Sequence, residues 1–130
     1  MLDSIDAYLD VLLEAIASSP IVRSSDVSVD KRTLRSGLIR GDLYFADNTC
    51  LHFRELVEEQ TIVNRVMYSY HYQRANGLLI FRYDDTPHHP NLDNFPYHKH
   101  VEEEGHVIPC DIPELSSILR EIEAIYLQGV

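Results

Sequence analysis

Apolar residues recur at helical spacing from Leu2 to Ala17, where Leu2, Ile5, Leu9, Leu12, Leu13 and Ile16 form one stripe. Asp3, Asp6 and Asp10 crowd the early turns, where the positive end of a helix dipole favours acids. Ser18-Ser19-Pro20 ends the pattern, and the period then shortens. Strand-like runs follow at Ile21 to Ser28, Thr33 to Phe45, Cys50 to Val57, Ile62 to Ala75 and Leu78 to Tyr83. Gly37 and Gly41 suggest bends or bulges in the second run, and Ala46-Asp47-Asn48 is a turn signal. Near the C-terminus, Asp111-Ile112-Pro113-Glu114 offers an N-cap Asp and an N3 Glu. Leu115, Ile118, Leu119, Ile122 and Ile125 then supply a second helical stripe. The pattern predicts an α+β fold, an antiparallel meander of about five strands with one face covered by N- and C-terminal helices. At 130 residues the chain reads as a single domain, 1–130.

Asn76-Gly77 sharpens this picture, because Asn-Gly favours a two-residue hairpin turn. Such a turn sets Tyr72 opposite Phe81, Tyr70 opposite Tyr83, His71 opposite Arg82, and Ser69 opposite Asp84. Alternation then sorts Tyr68, Tyr70, Tyr72, Phe81 and Tyr83 to one face, and Ser69, His71, Arg82 and Asp84 to the other. The second group suits acid–base and phosphate chemistry, or else is an exposed polar patch with weak surface pairs. A longer loop would change the register.

Charge narrows the partners. The net charge of −10 is concentrated at the ends: −5 over residues 1–30 and −6 over 101–130, against +1 over 60–100. So acidic a chain is a poor non-specific nucleic-acid binder, and RNA contact would be confined to a local site in the middle. The acidic ends suit solubility or a basic partner protein. No apolar run reaches membrane-spanning length, and no cleavable leader precedes the first helix, so a soluble, cytosolic protein is expected. Cys50 and Cys110 lie far apart and read as unpaired thiols.

The stretch "PHHPNLDNFPYHKH", Pro87 to His100, holds four of the seven histidines and three prolines. Its spacing matches no established zinc pattern, and adjacent His88 and His89 are poorly placed to share an ion. His98 and His100 on a strand would point the same way. A metal is therefore the weaker reading, and no cofactor is expected. RNA cleavage needs a base for the 2′-hydroxyl, an acid for the leaving oxygen and cations for the phosphate. Histidines, Arg82, Lys99 and the nearby tyrosines supply those roles without a metal. The prolines would stiffen the loop; a rigid, solvated loop is the alternative.

The run Tyr70-His71-Tyr72-Gln73, then Leu79-Ile80-Phe81-Arg82-Tyr83-Asp84, Pro87-His88-His89-Pro90 and Phe95-Pro96-Tyr97-His98-Lys99-His100, resembles the TumE family. These are toxin components of bacterial and archaeal type II toxin–antitoxin modules. Asp85 stands where the family pattern leads one to expect Asn, which adds a negative charge beside the phosphate site, and Tyr97 stands where it often has His. The resemblance implies a helix-plus-sheet toxin, similar in outline to RelE and barnase-like ribonucleases. With the histidines and cations above, the leading functional expectation is a toxin-like, metal-independent endoribonuclease. In that reading His88, His89, His98 or His100, with His71, serve as acid and base. Arg82 and Lys99 stabilise phosphate charge, and Tyr70, Tyr72 and Tyr83 bind or stack the substrate. The expected partners are an antitoxin-like protein, RNA at a local site and a second copy of the chain. The alternative is a non-catalytic interaction domain on the same scaffold, which the acidic charge favours; a metal-binding protein is third.

Overall fold

The computed structural model describes residues 4–128, so Leu2 of the first stripe and Asp3 of its early acids lie outside the described residues. The chain runs α1 (Ile5–Ala17), β1 (Val22–Thr33), β2 (Ser36–Phe45), β3 (Cys50–Glu59), β4 (Val63–Gln73), β5 (Leu79–Asp84), β6 (His98–Val101), β7 (Glu103–Pro109) and α2 (Leu115–Gln128). The strands form one sheet in sequential order, and every neighbouring pair is antiparallel. The α+β class and the terminal helices are as expected. Two strands are additional: β6 has four residues, and β7 is a mostly exposed edge whose acids hide any apolar alternation. Among the described residues, no helix is long and apolar enough to cross a membrane.

Local chemistry accounts for the helix ends. The Ser4 hydroxyl caps α1 by accepting from the Ala7 N–H at 3.1 Å. Ile5, Leu12 and Ile16 are buried, whereas Leu13 faces out. Helix α2 starts later than the Asp111 capping pattern suggests. The Ile118 N–H donates to the Glu114 carbonyl, and the Glu114 N–H donates to the Ser117 hydroxyl. Asp111 instead accepts from the Asn94 side-chain amide at 3.0 Å, tying the 85–97 loop to this segment.

The β4–β5 hairpin has the expected pairs, Tyr72–Phe81, His71–Arg82, Tyr70–Tyr83 and Ser69–Asp84, but not the expected turn. The Arg74 N–H donates to the Leu78 carbonyl and the Gly77 N–H to the Arg74 carbonyl, so the loop spans three residues. Gly77, at φ +87°, takes the left-handed position such a loop needs. The extra residue would shift the register by one. A bulge between Tyr72 and Gln73 reverses that shift.

One sheet face is covered. Phe53, Tyr68, Tyr70, Tyr72, Phe81, Ile39 and Leu43 pack beneath Ile5, Leu12 and Ile16 of α1 and Leu115, Ile118, Leu119 and Ile122 of α2. Gly37 lies opposite an irregularity, since the β1–β2 register shifts between Lys31, its partner, and Thr33, whereas Gly41 makes no bulge in either ladder. Gly41 instead makes room for an aromatic ring: a Cβ there would meet Phe53 ring atoms at 2.1 Å.

Candidate functional site

Among the described residues the sheet's opposite face carries no helix, and its register sorts the polar residues into two cross-strand rows. The first runs Asp42, His52, His71, Arg82 and His100 across β2 to β6. The second runs Arg40, Arg54, Ser69, Asp84 and His98 across the same strands. Directly opposed residues in an antiparallel sheet share a face with Cβ atoms about 4.5–5.5 Å apart, so each row is a contiguous ladder. Beside them Leu38, Leu56 and Met67 form a third, apolar row. The 85–97 loop folds back over this face. Together they enclose a cleft of about 880 Å³, lined on one side by Arg54, His71 and Arg82 and on the other by Thr86 and His88.

Asp84 organises the loop end of the cleft. One carboxylate oxygen accepts from the Thr86 hydroxyl at 2.7 Å and from its N–H at 3.2 Å; the other accepts from Arg82 Nε at 2.9 Å. Burial works to raise the Asp84 pKa, but the Thr86 and Arg82 hydrogen bonds and the neighbouring His98 outweigh it, and the carboxyl is held below its ordinary value. Arg82 has three of its five N–H donors engaged, since Nη1 also donates to Glu104 Oε1 at 2.7 Å and Nη2 to His100 Nε2 at 3.2 Å, and it ties the cluster together.

His98 and His100 are buried beside Asp84, only 2% and 5% exposed. His98 Nδ1 donates to the Pro96 carbonyl at 2.8 Å, and His100 Nδ1 to the Glu104 carbonyl at 2.6 Å. Both rings therefore turn Nε2 inward. His98 Nε2 lies 2.7 Å from Asp84 Oδ1, yet off the direction in which its N–H would point, so it makes close charge contact without an aligned hydrogen bond. His89 joins them from the loop, its ring centroid 5.0 Å from that of His98 and 5.9 Å from that of His100. His88 is exposed on the cleft wall.

His71 sits at the centre of the first row. Burial, then the Arg82 charge, lowers its pKa below the ordinary histidine value, so the ring is neutral at pH 7. Its neighbour His52 is oriented through Nδ1, 2.6 Å from Asp42 Oδ1. Arg40 and Arg54 are exposed and have no acidic partner among the described residues.

Four of the expected site residues lie elsewhere. Tyr70 and Tyr72 are fully buried beneath the helices, and the Tyr70 hydroxyl accepts from Arg65 Nη1 at 2.6 Å. The Tyr83 hydroxyl donates to Glu121 of α2, and Lys99 pairs with the same carboxylate at 2.6 Å while lying over the Phe81 and Tyr83 rings. Strand alternation explains the correction: Lys99 points away from its neighbours His98 and His100. The open face thus gathers His71, Arg82, His88, His89, His98 and His100, without the tyrosines or Lys99. It adds Arg40, Asp42, His52 and Arg54, and keeps Asp84 where the hairpin register sets it, opposite Ser69. Asp85 is occupied structurally, accepting the Tyr68 N–H at 3.2 Å.

No curated protein and no solved structure matches the chain significantly. The profile of one family, described as Toxin TumE, matches residues 12–126, from within α1 to within α2 and across the whole sheet. That span takes in both polar rows and the loop above them. The chain belongs to the Toxin TumE family.

Proposed function

We propose that this toxin-family protein acts on RNA as an endoribonuclease through the open face of its sheet. The supporting observation is the juxtaposition of neutral His71, carboxylate-oriented His52 and the unpaired Arg54 and Arg40 beside an apolar floor. Arg54 and Arg40 attract consecutive phosphates, and Leu38, Leu56 and Met67 take a base against an apolar surface. His71 removes the 2′-hydroxyl proton, and the freed oxygen bonds to the adjacent phosphorus. The bond to the 5′-oxygen breaks, and His52 returns a proton to that oxygen. The products are a 2′,3′-cyclic phosphate and a 5′-hydroxyl. An overall charge of −10 suits a local RNA site better than extended binding. Family membership points to an antitoxin protein as the partner, and the acidic ends favour one of basic character.

End-labelled RNA incubated with the protein tests this, with and without chelator. Cleavage leaving 2′,3′-cyclic ends is expected in both conditions. His71→Ala should lower the rate by roughly 10²–10⁴-fold, the usual weight of one general acid or base. No cleavage by the wild type, or equal cleavage by His71→Ala, overturns the proposal, and RNA binding without cleavage would favour the interaction-domain reading.

A further inference from the structure

His89, His98 and His100 bring one ring nitrogen each within 4.8 Å of the others. We infer that these three histidines bind a divalent transition-metal ion of the zinc class, at the loop end of the open face and outside the His71–His52 pair. Both strand histidines already carry the outer support that metal-binding imidazoles use. Each gives its Nδ1–H to a backbone carbonyl, Pro96 for His98 and Glu104 for His100, which fixes the tautomer and leaves the Nε2 lone pair facing inward. A second observation points to a cation. His98 Nε2 is buried without a hydrogen-bond partner although it lies 2.7 Å from an Asp84 oxygen, so a nitrogen turned into the cluster stands unbridged beside a carboxylate, a place that suits a cation.

The set suits zinc-class ions in number and kind: three imidazoles, the protein-ligand count of an ion that keeps a fourth position for water. Ligands about 2.0–2.1 Å from a tetrahedral ion sit roughly 3.4 Å from one another, so the rings must close slightly. His89, half-buried on the loop, is the one free to move. The loop holds it nearby through the His88 N–H to Thr86 carbonyl bond at 2.9 Å and the Leu92 N–H to His89 carbonyl bond at 3.2 Å. Asp84 is committed to Thr86 and Arg82 and supplies counter-charge instead of a ligand. The ion would replace the contact from Arg82 Nη2 to His100 Nε2, and Arg82 keeps its Asp84 and Glu104 partners. His88 points elsewhere, which resolves the difficulty of two adjacent histidines on one ion.

The test uses the untagged full-length chain, stripped with chelator and desalted. Cobalt(II) is followed by its visible d–d absorption, and zinc by titration calorimetry. One ion per chain is expected, with the intense bands of a four-coordinate cobalt site. His89→Ala should weaken binding by tenfold or more, while His88→Ala should leave it unchanged. Circular dichroism confirms that both variants are folded, which the loop position of these residues favours. No binding by the wild type, or equal weakening by the two variants, overturns the inference. The titration contains no RNA, so its failure is distinct from a failure of RNA cleavage.

Discussion

Replacing Asp84 by Ala removes the charge on which the loop end of the cleft is organised. The carboxylate accepts three hydrogen bonds, from Arg82 Nε, the Thr86 hydroxyl and the Thr86 N–H, and contacts buried His98. Hydrogen bonds to a charged group contribute about 1.5–3 kcal/mol each, but not additively. Removing one partner of a buried ion pair costs about 3–5 kcal/mol. Arg82 retains Glu104, so the lower half of that range, about 3–4 kcal/mol, is expected. For a domain of this size each kcal/mol moves Tm by roughly 3–5 °C, so a fall of roughly 9–20 °C should appear in thermal unfolding at pH 7. The pH dependence follows from the lowered carboxyl pKa. A depressed pKa stabilises the fold above the unfolded value, about 3.9, and that contribution is lost as pH falls through the folded value. The gap between wild type and Asp84→Ala should therefore narrow between pH 5 and pH 3. Asp42→Ala breaks only a half-exposed pair with His52 and should cost no more than about 1 kcal/mol. Circular dichroism melts of the three proteins at several pH values make the comparison. An Asp84→Ala shift under about 3 °C at pH 7, or a gap indifferent to pH, would refute the reasoning.

Other expectations are equally direct. Gly41→Ala drives a methyl group into the Phe53 ring and should destabilise by about 1–3 kcal/mol, read from the denaturant midpoint. Tyr70→Phe strips the hydroxyl that accepts from Arg65 beneath the helices; a loss of about 1–3 kcal/mol with RNA cleavage intact is expected. Lys99→Ala should likewise leave cleavage near wild type, because Lys99 lies on the covered face against Glu121; a hundredfold loss would return it to the site. The His71 pKa is lowered, so cleavage that uses this ring as base should persist below pH 6.5 and decline only as pH falls through the shifted value. A pH–rate profile whose acidic limb is unchanged in His71→Ala contradicts that role.

How far this was legible in the sequence varies with the kind of signal. Period-3.6 stripes located both helices, and Asn76-Gly77 with its flanking alternation placed His71 beside Arg82 and Ser69 beside Asp84. The turn itself was misread: two deviations from the simple hairpin, a three-residue loop and a bulge, cancel in the register. Cancelling errors of that kind leave no mark in local composition. Arg40, Arg54 and His52 were missed because their place beside Ser69 and His71 depends on the β2–β3 and β3–β4 registers, set by turns with no comparably strong signal. Lys99 does not share a face with the histidines that flank it in "HKH". As β6 it alternates, sending His98 and His100 to one face and Lys99 to the other. The sequence spacing alone does not show the metal grouping, since only the fold brings His89 back onto that pair.

Two buried polar clusters in this chain resemble each other chemically, and cover decides between them. Glu55 is wholly buried, its pKa raised by burial against the opposing pull of its Tyr8 hydrogen bond and of Arg65. Taken alone, such a carboxyl flanked by Tyr8, Tyr70 and Arg65 is a plausible proton-transfer group. Its neighbours are already committed, however. Tyr8 comes from α1, Arg65 also donates to the Pro113 carbonyl at 2.6 Å, and Glu114 closes the rim. The cluster therefore clamps both helices to the sheet, and no substrate reaches it without their departure. The Asp84 cluster is equally dense, but beside it His71 and Arg54 face an open cleft, and His98 Nε2 and His89 face one another without a bridging donor. Glu55→Gln should accordingly change stability and leave RNA cleavage and cobalt binding alone, whereas substitutions at His71 and His89 should each weaken one of those two readouts and spare the other.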